Sequence, residues 1–503
     1  MTQMQAKDIK TIIRKQLKKQ YPNWNRLSKK QKKTIAKEVL TEVVKGYDVN
    51  QEIRNPLPEL LGIEEQVSIS RIMTLDEMAG FIDTCNNNTL IKLDTYKQRS
   101  VYIKDEELKF IDDLLDDHVI NSLLLSRGYR PSERELYPSH LLRAELLKCI
   151  KYPEISYRKF CSKTYLGMEQ KQNRAFIGLP LNRAKIIDHT QLSHFRSASS
   201  FSQMVNLMVY VIYHFFKSGL LGDNVLHGID STELANECAR PLASLKVGEH
   251  NIRIYSDLDC DCGKRRNKRD KSSYVIGYRL HTLTVINPCT GHSFPLVSLL
   301  APANHHDSNY LVPLVKLAKA IGIELKLITA DEAYEDSDRS LYEQTGVHLV
   351  TPPHTKTSFP ENVDDETMQV MLDDFCEIPM QYMGYDQQGH EFKCGAAPGM
   401  CPRSSSCLKY RFIPQDSGLF QGIPAGIHHV AEAVEIRKNA ERPFNLLKNR
   451  EGLEPIRTRS QHGLLVRSSF TTMATLLLEM AGMRRKKKAK EAKNLQLQLL
   501  DVA

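Results

Sequence analysis

One tryptophan, Trp24, stands in 503 residues, and long runs of apolar residues are scarce. The most apolar run, Met204–Phe216, spans 13 residues and includes Asn206 and His214. A membrane helix needs roughly 20 apolar residues, so this run is too short and too polar to serve. The N-terminus is polar and charged with no apolar core segment, so a secretory signal is not expected and the chain reads as cytoplasmic. No internal repeat and no long low-complexity segment is found. None of the 11 cysteines forms a Cys-x2-Cys pair. Without a secretion signal their thiols are expected to be reduced, which favours metal or core roles over disulfides.

Positive charge is abundant and uneven. The formal net charge is +9. Residues 1–45 hold 13 Lys and Arg against Asp8, Glu38 and Glu42, and the run Arg484–Lys490 adds six cations. Basic ends point to nucleic acid before small acidic substrates, with a solubilising tail as the other reading of the C-terminal run. The length allows two or three domains, each with its own core.

The pattern along the chain changes once. Residues 7–46 carry apolar positions at helical spacing on either side of Tyr21-Pro22-Asn23, which predicts a basic helix pair. Residues 50–95 read as linker and short helices, and 105–218 as mostly helical. From Asn224 the signal is mixed. Val225–Ile229, Tyr274–Ile286, Ser293–Leu300, Glu324–Ala330 and Val347–Val350 read as strands, with helices predicted over Ser308–Ile321 and Asp336–Gln344. The expected class is α/β, a mixed sheet flanked by helices.

Two acids share a context in that sheet. Asp230 is predicted to end one strand and Asp331 another, where α/β folds place ligand sites. Each could equally be an N-cap. A third acid, Glu441, lies in Ala433–Asn449 with Arg437 four residues before it and Lys448 seven after. On a regular helix the three side chains fall within about 40° of one another. The bland reading is a solvated face with one ion pair. The sharper one is a metal-binding carboxylate between phosphate-binding cations, since paired divalent ions need several carboxylate oxygens.

In order along the chain, several motifs resemble insertion-sequence transposases of the DDE class. Asp188–Arg196, DHTQLSHFR, is similar to the family's D-H-S-T-L-S-R-F-R element. Gly228-Ile229-Asp230-Ser231-Thr232 looks like the first-acid strand, and Gly277-Tyr278-Arg279-Leu280-His281 resembles G-Y-K-L-H. Ala301–Ser308, APANHHDS, is similar to the A-N-x-H-D-S turn, and Ala330-Asp331-Glu332-Ala333-Tyr334 to A-D-x-G-Y. Arg437-x3-Glu441-x6-Lys448 matches the Y-x2-R-x3-E-x6-K signature. The resemblance covers about Leu141 to Gly482.

This resemblance implies a ribonuclease-H-like catalytic domain over 221–482 with an insertion at 354–430. A basic helical region (1–95), a helical DNA-binding and dimerisation region (96–220) and a basic tail (483–503) would complete the chain. Asp230, Asp331 and Glu441 would bind two Mg²⁺ (or Mn²⁺) ions for cleavage at transposon ends and strand transfer to target DNA. Arg437, Arg442 and Lys448 would contact phosphates. The implied partners are double-stranded DNA, meaning inverted repeats and target, and a second copy of the chain in the synaptic complex, at the bacterial nucleoid. An endonuclease that only hydrolyses DNA and a non-catalytic, transposase-derived DNA-binding protein are the alternatives. Three departures stand out: Val434 replaces the signature tyrosine, Ala333 replaces a glycine, and Pro443 is expected to kink or start a helix near Arg442.

Two further features stay open. Cys394, Cys401 and Cys407, with Cys376 as a fourth thiolate, are either a structural zinc site or merely free thiols. Lys264, Arg265 and Arg266 belong to a basic loop suited to DNA phosphates. His281 and His305-His306-Asp307 read as residues bracing the site's edge, with a separate metal site as the other reading.

Overall fold

The computed structural model describes residues 3–46, 72–88, 100–124, 136–182, 187–221, 225–247, 250–266, 272–334, 336, 340–352, 363–364, 369–372, 378–386, 389–397, 400–401, 407, 409–414, 430–450, 452–458 and 460–500. Before residue 225 every described element is helical: α1 (Gln3–Gln20), α2 (Lys29–Gly46), α3 (Leu75–Asn88), α4 (Glu106–Leu114), α5 (Asp117–Leu124), α6 (Pro138–Lys151), α7 (Lys171–Ile177), α8 (His189–Ala198), α9 (Phe201–Lys217) and several single turns. Their ends follow from local chemistry. At α9 the Ser200 hydroxyl accepts from the Gln203 amide and the Gln203 side chain accepts from the Ser200 amide, a reciprocal cap for donors the helix leaves unpaired.

A mixed sheet follows. Its order is β4 (Asp261–Arg266), β5 (Ser272–Ile286), β1 (Leu226–Ala235), β7 (Leu327–Ala330) and β8 (His348–Val350), with β6 (Ser293–Pro302) also paired to β5. β1 runs antiparallel to β5 and parallel to β7, and β7 is parallel to β8. Helices α10 (Leu311–Ala320) and α11 (Ser340–Thr345) complete the crossovers. The class expected from the sequence, a mixed α/β sheet flanked by helices, is the one observed.

One apolar cluster joins the helices to the sheet. It runs from Ile72 and Leu108 through Leu146 and Val209 to Ile229, Leu283 and Ile328, and on to Phe470 and Met480. The last two belong to α13 (Gln461–Leu500), which packs on α9, α6 and β6. Over Gln461–Gly482 this helix is long and apolar enough to cross a membrane, but 78% of its most apolar stretch is buried within the protein. The backbone of α13 continues helically through Arg484–Lys490, where the sequence suggested a tail.

Two smaller assemblies lie beside the sheet. α1 and α2 place Ile9, Ile13, Leu17 and Leu40 over Leu242, Ile252 and Ile254 of the hairpin β2 (Pro241–Val247) and β3 (His250–Tyr255). Part of the N-terminal basic character is spent here. Lys10 and Arg14 pair with buried Asp261 at 3.2 and 3.0 Å, Lys18 pairs with Asp259, and the Trp24 indole donates to the Ser256 carbonyl at 3.2 Å. In the predicted insertion, β9 (Gln381–Asp386), β10 (Gly389–Lys393) and β11 (Tyr410–Pro414) form a three-stranded sheet around Phe392 and Ile413.

Candidate active site

β1 carries the first acid, and it is longer than the sequence suggested. Asp230 does not end the strand: β1 stays paired with β5 from Leu226 to Ala235. What ends at Asp230 is the pairing with β7, whose last rung is Ile229↔Ala330. Asp230 and Asp331 therefore each follow the final rung of the parallel ladder, side by side where β7 turns away. Each carboxylate accepts the next residue's amide, from Ser231 at 2.7 Å and from Glu332 at 2.9 Å.

The third acid arrives on a helical run from Val430 to Arg450, named α12 over its first part, Val430–Arg437. The kink or helix start expected near Arg442 is present: an α-helical turn begins at Arg442 with Pro443 in its first two positions, though the chain stays helical on either side. The run tightens to 3₁₀ geometry over Lys438–Glu441, returns to α over Arg442–Asn445 and widens to π over Leu446–Arg450. Pro443 has no N–H for the Asn439 carbonyl four residues back. That carbonyl instead accepts the Arg442 amide and the Ser293 hydroxyl, the latter at 2.6 Å. Gly228 lets the run press onto β1, since a Cβ there would meet Ala440 Cβ at 3.1 Å. Gly228 and Asp230 share one face of β1 by strand alternation, so Glu441 comes in beside Asp230.

The electrostatics follow from this geometry. Burial pushes Asp230 up to about 7; the Ser231 amide and Arg437 work against that rise, and Glu441 and Asp331 add to it. Asp331 is 51% exposed and lies 3.7 Å from the Arg437 guanidinium, which is itself mostly buried. Arg437 Nε is buried with no hydrogen-bond partner among the described residues. Glu441 and Arg442 are exposed.

Three carboxylates are hard oxygen donors suited to Mg²⁺ or Mn²⁺. Among the described residues, however, no three His, Cys, Asp or Glu side chains already stand in ligating geometry. The donor chemistry fits a divalent cation, with Asp331 leaning toward Arg437 instead of closing on Asp230.

The remaining expected residues divide. Lys448 Nζ donates to the Glu233 carbonyl at 2.7 Å and pairs with Glu454 at 3.4 Å, so it touches β1 directly. Lys264, Arg265 and Arg266 lie on β4, an edge strand and not a loop, and Lys264 is exposed. Val434, in place of the signature tyrosine, joins the apolar cluster of Val350, Val370 and Phe392. Arg196 of the 188–196 element pairs with buried Glu145 and stacks 4.2 Å over Tyr157, which makes it a packing residue.

Among the cysteines, the Ala396 amide lies 3.5 Å from Cys394 Sγ and the Lys409 amide 3.4 Å from Cys407 Sγ. Cys401 is half-buried and Cys376 lies outside the described residues. The described cysteines do not by themselves close a zinc site.

A cluster behind the acids was visible in the sequence only as motifs. His281 is fully buried, stacks on Tyr310 at 4.3 Å and shares a 2.8 Å hydrogen bond between its Nδ1 and the Tyr334 hydroxyl. Burial and Arg279 hold its imidazole neutral, far below the ordinary histidine range. Ser231, Glu233, Arg279 and Asp307 form a hydrogen-bonded set alongside. The sequence signal was the alternation in Gly277–His281, which puts Arg279 and His281 on one face of β5. No protein-family model matches this chain, and no curated protein is significantly similar to it.

Proposed function

We propose that this chain is a DNA transposase of the DDE class, with a ribonuclease-H-like catalytic domain built on β1, β5, β6, β7 and β8. The observation that carries the reading is the meeting of Asp230, Asp331, Glu441 and Arg437 at the end of the β1–β7 ladder, brought there from three separately placed motifs.

Asp230, Asp331 and Glu441 would hold Mg²⁺ or Mn²⁺. Held by these three acids, such ions would supply activation of a water or hydroxyl nucleophile and stabilisation of the phosphate charge. Around them this chain's residues divide the work. Asp230 is the buried anchor, Asp331 and Glu441 lie at the exposed rim, and Arg437 would turn its guanidinium to a phosphate as a fork. Arg442 and the β4 cations Lys264, Arg265 and Arg266 extend this toward the DNA backbone. Lys448 acts by fixing the helical run to β1. The partners are double-stranded DNA, as inverted repeats and target, and a second copy of the chain.

The test is incubation of the purified chain with Mg²⁺ and DNA bearing the repeats that flank its own coding region. Joined products support transposition. Cleaved but unjoined products would favour a simple endonuclease, and binding without cleavage a non-catalytic protein.

A further inference from the structure

The transposase reading gives Lys448 a role but none to the charged residues it connects to beside β1. Lys448 Nζ donates to the Glu233 carbonyl at 2.7 Å, and Glu233 Oε1 accepts Arg279 Nη2 at 3.2 Å. Arg279 Nη1 donates to Asp307 Oδ1 at 2.5 Å, and Asp307 Oδ2 accepts the Ser231 hydroxyl at 3.2 Å. The Ser231 amide then donates to Asp230 Oδ1 at 2.7 Å. Lys448, Glu233, Arg279, Asp307 and Ser231, from the helical run, β1, β5 and the turn before α10, thus lead to the buried acid, the two end links running through the Glu233 carbonyl and the Ser231 amide.

Their placement is costly unless it serves position. Asp307 and Arg279 are 8% and 19% exposed at the side chain, and Arg279 Nε is buried without a partner among the described residues. Removing two charges from water at this depth is offset only by close mutual geometry, and apolar residues would often fill the space as stably. What a charged line adds is direction: it fixes the Ser231 hydroxyl from one side, and with it the peptide that holds Asp230.

We propose that Asp307 and Arg279 are positioning residues that orient Asp230 for a divalent cation through Ser231. The inference rests on the transposase reading only in taking Asp230 as a metal ligand. It assigns a purpose to the G-Y-R-L-H and A-N-H-H-D-S segments, whose side chains touch neither cation nor DNA in this scheme.

The experiment is a Mn²⁺ titration of the full-length chain followed by the loss of the free-ion electron paramagnetic resonance signal, alongside Mg²⁺-dependent cleavage and thermal melting. Wild type, Asp307→Asn, Ser231→Ala and Asp230→Asn are compared. Ser231→Ala removes one hydroxyl without changing charge and serves where Asp307→Asn folds poorly. The expected result is Mn²⁺ binding weakened at least about tenfold in Asp307→Asn and Ser231→Ala, the two positioning variants, with cleavage restored to within about twofold of wild type at saturating Mg²⁺. Arg279→Lys, keeping the charge but losing the fork, should fall between them and wild type. A lowered melting temperature with unchanged Mn²⁺ affinity would overturn the proposal and leave a purely structural role. If wild type itself binds no Mn²⁺ that Asp230→Asn removes, the transposase reading and the positioning role both fail. If wild type binds and cleaves while both positioning variants match it, only the positioning role fails.

Discussion

Asp230 and Asp331 stand side by side, each one residue past the Ile229↔Ala330 rung that ends the parallel ladder between β1 and β7. The two differ sharply in surroundings, Asp230 buried and Asp331 half in solvent. That asymmetry sets the first prediction. Asp230 rises from the ordinary 3.8 to about 7, chiefly through burial. A folded-state value above the unfolded one means the native chain holds the proton more tightly. This contribution to stability is full below about pH 4 and is lost as pH rises through 7. Metal-free Asp230→Asn should therefore melt higher than wild type at pH 8, by up to roughly 4 kcal/mol on a scale of about 1.4 kcal/mol per unit. The two should converge near pH 4. Thermal melting in chelator across that range checks it; equal melting at pH 8 would contradict it.

Gly228 sets how closely the Glu441 segment approaches β1. A methyl group there meets Ala440 Cβ and Ile286 Cδ1, both at 3.1 Å. Gly228→Ala should cost about 1–3 kcal/mol by overpacking and lower cleavage at least tenfold by displacing Glu441. Denaturant unfolding and single-turnover cleavage measure the two effects separately.

Ser293 substitutes for the N–H that Pro443 lacks. Ser293→Ala leaves the Asn439 carbonyl with the Arg442 amide alone and should cost about 1 kcal/mol. In a Pro443→Ala background a returning N–H can reach that carbonyl, so the cost should shrink. A double-mutant cycle by urea denaturation reads the coupling, and strict additivity would refute this account of the proline.

Asp261 ties α1 to the sheet edge. Burial alone would raise its carboxyl, but Arg14 and Lys10 hold it below the usual range. That stability is present above about pH 4 and is lost as pH falls through the lowered folded-state value. Asp261→Ala takes the carboxylate from the largely buried Arg14, which keeps the Cys260 carbonyl at 2.9 Å, and should cost about 3 kcal/mol, together with earlier proteolysis of residues 3–46.

Much of this was legible in the sequence because it depends on short-range patterns. β5, β6 and α10 announce themselves by alternation and helical period, and the acids by the strands before them. The hairpin β2–β3 was missed: Pro241–Val247 and His250–Tyr255 are short and partly polar, and they fold against α1 and α2, about 200 residues away. The end of β1 was misjudged because Ser231–Ala235 looks polar, while its pairing with β5 is a long-range fact. The apolar run in α13 went unremarked because Ser468, Thr471, Thr472 and Thr475 interrupt it. Thr471 and Thr475 satisfy their hydroxyls on carbonyls of the preceding turn, which lets them be buried. The change of helical geometry at Pro443 was legible from the proline itself, while the Ser293 hydroxyl that caps the Asn439 carbonyl was not, since it comes from β6.

The central claim is that three acids from three elements form one metal-dependent site for DNA cleavage and joining. Asp331→Asn tests it most directly: it removes one carboxylate charge at an exposed position, so the fold should persist. The measurement is Mg²⁺-dependent cleavage and strand transfer on end-bearing DNA, beside an end-binding assay. The account predicts binding within about twofold of wild type and a cleavage rate at least 1,000-fold lower, a loss of about 4 kcal/mol of transition-state stabilisation. Full strand transfer by Asp331→Asn would contradict it.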